Sequence, residues 1–102
     1  QLVALWNGQA AGTVALWRND CKTRQDLSPW MAVLYVDPAF RNRHIGQALQ
    51  RASIEAARAL GRYDWLYLIT ELEDYYEKTG WEFVGDAPVG HGHTEKIYRY
   101  PL

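Results

Sequence analysis

The run Arg41-Asn42-Arg43-His44-Ile45-Gly46 places two guanidinium groups just ahead of a glycine. Guanidinium is a planar fork of donors that matches phosphate oxygens. Pro38, shortly upstream, ends a strand-like run, because proline cannot sit inside a central strand. A helical pattern begins downstream. A helix entered this way leaves its first amides without intrahelical partners, and those amides, with the helix dipole, attract anions. Gly46 falls in the first turn, where glycine costs about 1 kcal/mol against alanine. That cost is understandable where a ligand must approach the backbone closely. On spacing alone the stretch is either a phosphate-binding strand–loop–helix or a solvated basic loop that starts a helix.

Other chemistry-bearing residues are sparse. His91-Gly92-His93 brings two imidazoles together. With no cysteine or third histidine nearby it reads as a turn with two surface histidines, and no metal is expected. Gly90 and Gly92 suggest a flexible tip that could flank an acceptor site. Cys21 lies in a polar loop without a base motif, so it is read as incidental. As the only cysteine it forms no internal disulfide, and a reducing, cytoplasmic setting is the easier reading.

The elements that must position these residues follow from periodicity. Leu2–Trp6 reads as a strand, Asn7-Gly8 as a hairpin turn, and 11–17 as the return strand with Gly12 as a bulge. Residues 18–29 are polar and loop-like. Trp30–Val36 is a continuous apolar run, as in a strand buried on both faces. Ile45, Leu49, Ala52, Ala56 and Leu60 mark one face of a helix, with Gly61 as its cap. Trp65–Thr70 is another buried strand, 71–79 a short helix with an acidic start, 81–84 a strand, 85–94 a glycine-rich loop and 95–100 a last strand. Trp6, Trp17, Trp65 and Trp81 are assigned mostly to the core. Trp30 is assigned to packing, with the rim of an acceptor pocket as the alternative.

The fold class is therefore α/β (α+β), with a mixed, mostly antiparallel central sheet flanked by helices in the order β-β-β-α-β-α-β-β. The 102 residues, 48% of them hydrophobic, suit a single domain over 1–102 with one modest core. A net charge of −1 gives no global pull towards nucleic acid or anionic membrane. No apolar run is long enough to span a bilayer, so neither is expected as a partner.

The opening stretch resembles the acyl-CoA binding motif of the GNAT superfamily of N-acyltransferases. There a strand ending in Val-x-Pro precedes Arg/Gln-x-x-Gly-x-Gly/Ala at the head of a long helix. This chain has Val36-Asp37-Pro38, then Arg41 through Gly46, then Leu49, with His44 where the motif has its first glycine. A second register, Arg43-His44-Ile45-Gly46-Gln47-Ala48, also satisfies the pattern but sits less well against Val-x-Pro. Tyr75-Tyr76-Glu77-Lys78-Thr79-Gly80-Trp81 resembles the family's aromatic-Tyr-x-x-x-Gly-aromatic segment, and residues 66–70 the strand before it. The resemblance covers essentially the whole chain.

The resemblance implies acetyl-CoA as co-substrate, no metal, and a primary amine of a small molecule, peptide or protein as acceptor. Tyr76 would be the general acid towards the CoA thiolate, since a phenol with a reference pKa of about 10 is protonated at neutral pH. Tyr75 would be a packing aromatic. Main-chain groups of Leu34, Tyr35 and Val36 would pair with the pantetheine arm as with an added strand. Arg41, Asn42, Arg43, His44, Ile45 and Gly46 would surround the pyrophosphate, with the adenosine 3′-phosphate or solvent as an alternative for one arginine. His44 is tolerable if its backbone stays helical, although its side chain would crowd the phosphates.

Trp30–Val36 contains no carboxylate, so no base is readable there. Glu71 is a candidate base, directly or through water. Asp37 reads as a cap. Asp20 and Asp26 could attract a cationic amine, and a water chain to bulk serves as well. Family members usually begin with a further strand and one or two helices that wall the acceptor site, whereas this chain opens at Gln1 directly into a strand-like run. Truncation, a pocket completed by a partner (a homodimer included) and a minimal open domain are all compatible with this. The alternative function is a non-catalytic acyl-CoA-binding or sensor module. His44 and the unreadable base favour the binder, and the Tyr76 segment favours the enzyme.

Overall fold

The computed structural model describes residues 1–21, 23–90 and 92–102. One six-stranded sheet runs in the order β1-β2-β3-β4-β6-β5. Its strands are β1 (Leu2–Trp6), β2 (Gln9–Trp17), β3 (Trp30–Val36), β4 (Trp65–Thr70), β5 (Glu82–Gly90) and β6 (His93–Pro101), with α1 (Ile45–Leu60) between β3 and β4. All neighbours pair antiparallel except β3 and β4, which are parallel. The α+β class stands as expected. No helix among the described residues is long and apolar enough to cross a membrane.

Local chemistry accounts for the first half. Asn7 and Gly8 have φ of 51° and 82°, the positive pair that the commonest hairpin turn requires. Ala11 is the extra residue of β2 against β1, so that bulge lies beside Gly12 rather than on it. A Cβ on Gly12 would stand 2.6 Å from the Tyr35 carbonyl oxygen and 3.1 Å from Leu49. Glycine there lets β2, β3 and α1 close on one another. A second bulge sits on β3, where Thr13 faces Tyr35 and Ala15 faces Ala32, leaving Val33 and Leu34 opposite Val14. Val33 takes φ 48°, an outlying conformation for a β-branched residue.

Helix α1 packs on one face of the sheet, burying Ile45, Leu49, Ile54 and Ala57 against Val14, Met31, Leu66, Leu68, Trp81 and Tyr98. The stripe expected from sequence is rotated. Leu60 is exposed, and Gln50 and Ser53 are buried instead. Both polar side chains bond within the protein, Ser53 Oγ donating to the Gln50 carbonyl at 2.8 Å. On the other face Cys21, Trp30, Tyr67, Ala87 and Ile97 form a second cluster. Leu27 packs on it from the connection before β3, its carbonyl accepting from Trp30 Nε1 at 2.7 Å. Trp30 and Trp81 are core residues, whereas Trp6 and Trp17 are exposed.

Two expectations fail in the second half. Residues 71–79 form no α-helix, only a 3-10 turn at Glu77–Thr79. A segment this short is marginal as a helix, and Asp74 turns left-handed within it, with φ 56°. The element order is thus β-β-β-α-β-β-β. The glycine-rich stretch 85–94 is mostly strand, since β5 runs to Gly90 and β6 starts at His93. Ala87, 1% exposed, anchors β5 on the second cluster. Of the His91-Gly92-His93 run, His91 lies outside the described residues, while His93 is exposed.

Candidate active site

The end of β3 is clamped before the chain reaches α1. Asp37 N donates to the Ala11 carbonyl at 2.8 Å, and Asp37 Oδ1 accepts from Ala39 N at 2.9 Å, capping a 3-10 turn over Pro38–Phe40. Asp37 is therefore a cap, as read from sequence. Asn42 and His44 then take φ of 66° and 58°. Asn42 follows an extended Arg41, and His44 leads straight into right-handed α1. A left-handed residue beside right-handed ones turns successive N–H groups towards one concavity, an arrangement that suits anions.

The His44 backbone does not stay helical. It is the left-handed N-cap of α1 (ψ 21°), and its side chain makes no capping bond. This gives a physical reason for glycine at the equivalent motif position. Among the described residues, the amides of 42–47 donate to no backbone carbonyl; the first helical bond here is Ala48 N to the His44 carbonyl at 3.1 Å. No acidic side chain sits in the first turn of α1 to neutralise them.

These amides border a cleft of about 470 Å³ lined by Val36, Phe40, Arg41, Asn42, His44, Ile45, Gly46, Gln47 and Tyr75. Of the residues expected at the site, Val36, Arg41, Asn42, His44, Ile45 and Gly46 are brought together here. Arg41 Nε donates to the Val36 carbonyl at 3.1 Å, and its guanidinium lies 6.0 Å from the Tyr35 ring centroid. Arg43 points elsewhere, its guanidinium stacking on Trp6 at 4.9 Å. Leu34 packs on the core and Tyr35 is exposed. Phe40, Gln47 and Tyr75 were not expected. Gln47 was accessible to sequence reasoning, being the next amide of the same helical turn.

The cleft reaches Val36, the last residue of β3. β3 and β4 share only one registered pair, Trp30 with Tyr67. Beyond it no further pair is registered, and β4 ends at Thr70, so main-chain groups at 34–36 have no registered partner in β4.

The tyrosine pair divides unexpectedly. Tyr75 is the exposed member and lines the cleft, whereas Tyr76 is 8% exposed and packs against Trp81 and Tyr98. Burial, and then the neighbouring Tyr75, push the Tyr76 phenol up to about 12. Glu71 is exposed just past β4 and does not line the cleft. Asp26 pairs with Arg24 at 3.1 Å, and hydrogen bonding from Arg24 holds its carboxyl below the usual range. Asp20 is half-buried, and burial followed by the charge of Glu95 raises its pKa. Neither aspartate lines the cleft. No cluster of metal-ligating side chains occurs among the described residues.

Solved structures share this fold. A GNAT family acetyltransferase from Elizabethkingia anophelis with acetyl-CoA bound superposes with a TM-score of 0.76 at 18% identity, over 98% of this chain and 74% of that one. An acyl-CoA N-acyltransferase from Pseudomonas aeruginosa gives 0.72 at 21%, over 96% and 65%. An IAA acetyltransferase from Bacillus cereus gives 0.74 at 18%, over 98% and 75%. The chain thus spans about two thirds to three quarters of these proteins. Comparison with curated proteins gives no match. The family model for the acetyltransferase (GNAT) domain matches residues 1–83. The chain belongs to the GNAT acetyltransferase family.

Proposed function

We propose that this chain is an N-acetyltransferase that moves the acetyl group of acetyl-CoA to a primary amine of a small molecule, peptide or protein by direct attack. The observation that carries the reading is the run of unpartnered amides at 42–47 beside Arg41, lining a cleft that reaches Val36 at the end of β3. These donors fit a pyrophosphate, and the free edge of β3 at 34–36 fits an amide-bearing arm laid along it. The Elizabethkingia relative, solved with acetyl-CoA bound, supports this ligand. A cytoplasmic setting, with Cys21 free, suits the reaction.

Acetyl-CoA supplies an activated thioester. The acceptor nitrogen forms a C–N bond as the C–S bond breaks, so the amine loses one proton and the thiolate gains one. Tyr76 is the proposed donor to sulfur. A phenol raised to about 12 keeps its proton throughout the neutral range. The proton released by the amine leaves through water, with Glu71 as the nearest carboxylate after β4.

A second reading, an acyl-CoA-binding module without transfer, is favoured by one observation: neither Tyr76 nor Glu71 lines the cleft. Calorimetry with acetyl-CoA and a thiol-release assay over an amine panel separate the two. Binding with amine-dependent thiol release is expected. Binding without release on any amine favours the module, and absence of binding rejects both.

A further inference from the structure

Gln50 is a polar residue in mid-helix, 4% exposed. Its Oε1 accepts from Trp81 Nε1 at 3.3 Å. An indole N–H only donates, so this bond fixes the amide orientation, oxygen towards Trp81 and NH2 away from it. That NH2 has no hydrogen-bond partner among the described residues. An unmet buried donor costs about 1–3 kcal/mol, and such groups in native proteins call for an explanation.

Gln50 borders a groove of about 240 Å³ between α1 and the turn at Thr79, bounded also by Gln47, Arg51, Ile54, Trp81 and Tyr100. The groove meets the acyl-CoA cleft only at Gln47. None of these lining residues is a carboxylate, and Arg51 makes no ion pair among the described residues. Arg51 is thus the one charged residue in the lining, and Glu55, one turn on, is paired with Arg58 at 3.0 Å. The apolar side is supplied by Ile54 and by Tyr100, whose ring tilts against Trp81 at 5.4 Å.

We propose that this groove is a second ligand site, for a small carboxylate with a flat apolar body. The carboxylate oxygens accept from the Gln50 NH2 and the Arg51 guanidinium, and the body lies against Tyr100. The Gln50 nitrogen has almost no accessible surface, so neighbouring side chains must move as the ligand enters. Neither donor offers a lone pair. An amine gains nothing here, which separates this ligand from the acceptor of acetyl transfer.

Benzoate is the probe, titrated into 15N-labelled protein while the Gln50 side-chain NH2 and Trp81 indole signals are followed. A saturable shift of the Gln50 NH2 is expected, with the indole bond retained. Benzamide and benzylamine at the same concentrations should leave it unmoved. Arg51→Ala, a change at an exposed position, should weaken benzoate about tenfold, the loss expected for one charge-assisted bond. Gln50→Glu keeps an acceptor for Trp81 but replaces the donor, and should abolish binding. The proposal is overturned if the Gln50 signals do not respond, if benzoate moves only the backbone amides of 42–47, or if Arg51→Ala binds benzoate unchanged. The readout does not depend on acyl transfer, so it stands or falls separately from the proposed activity.

Discussion

Tyr75 stands edge-on to Tyr76, with ring centroids 4.8 Å apart and planes at 83°, and the pair is split between cleft and core. Tyr76→Phe keeps the buried ring and removes only the hydroxyl. It should lower kcat by about 10²-fold or more while leaving acetyl-CoA affinity near wild type. Tyr75→Ala should instead weaken acetyl-CoA binding with a smaller effect on kcat. Steady-state kinetics on both variants checks this. An unchanged kcat in Tyr76→Phe removes Tyr76 from the mechanism, and a loss in Tyr75→Phe would move the role to its neighbour.

His44→Gly tests the left-handed cap. A non-glycine residue at φ 58° carries a penalty of about 1–2 kcal/mol, partly offset because glycine also frees the unfolded chain. The variant should be more stable by up to about 1 kcal/mol in urea unfolding. It should also bind acetyl-CoA more tightly, since no side chain then stands beside the amides. His44→Val should be less stable than wild type.

The two arginines should separate in a binding assay. Arg41 lines the cleft while Arg43 is stacked on Trp6. Arg41→Ala should weaken acetyl-CoA about tenfold, and the loss should shrink at high salt. Arg43→Ala should cost clearly less. Equal losses would mean that Arg43 leaves Trp6 when ligand binds. Calorimetry at two ionic strengths is the measurement.

Alkaline pH should destabilise the fold in a defined window. Burial, and then Tyr75, raise Tyr76 from 10.0 to about 12. Burial, and then the hydrogen bond to Glu77 at 2.9 Å, raise Tyr98 to about 12 as well. The folded state thus holds these protons more tightly than the unfolded chain. The associated stability is fully present below pH 10 and is lost as pH rises through about 12. For Tyr76 the loss is on the order of 2–3 kcal/mol. Denaturant unfolding between these limits should show the decline, and Tyr76→Phe should flatten part of it.

Most of the sheet could be read from local patterns. Trp30–Val36 and Trp65–Thr70 are apolar runs that read as strands, although Val33 and Tyr35 are exposed and the first is not buried on both faces throughout, and Asn7-Gly8 admits little but a hairpin. The local structure around Arg41 and Gly46 was legible because it needs only a strand stop, a turn and a helix start. The segment over 71–79 was misread because acidic residues followed by tyrosines look like a helix start. Whether a helix forms there depends on a packing surface that pattern alone does not reveal. Gln50 was missed for a related reason. A polar residue on a helix reads as exposed until its partner, here Trp81, is known.

The sequence by itself determined where β3 stops, where α1 begins and ends, and which amides of its first turn lack intrahelical partners. These follow from the fixed φ of Pro38, the left-handed Gly61 cap at φ 69°, and the missing partners of any helix start. Only the tertiary structure decided that Val33 sits in a bulge against β2, that His44 turns left-handed, that Tyr75 rather than Tyr76 lines the cleft, and that the side-chain NH2 of Gln50 faces no partner among the described residues. Each depends on contacts between residues far apart in the chain, whose cost or gain exists only once the sheet and helix have closed on one another.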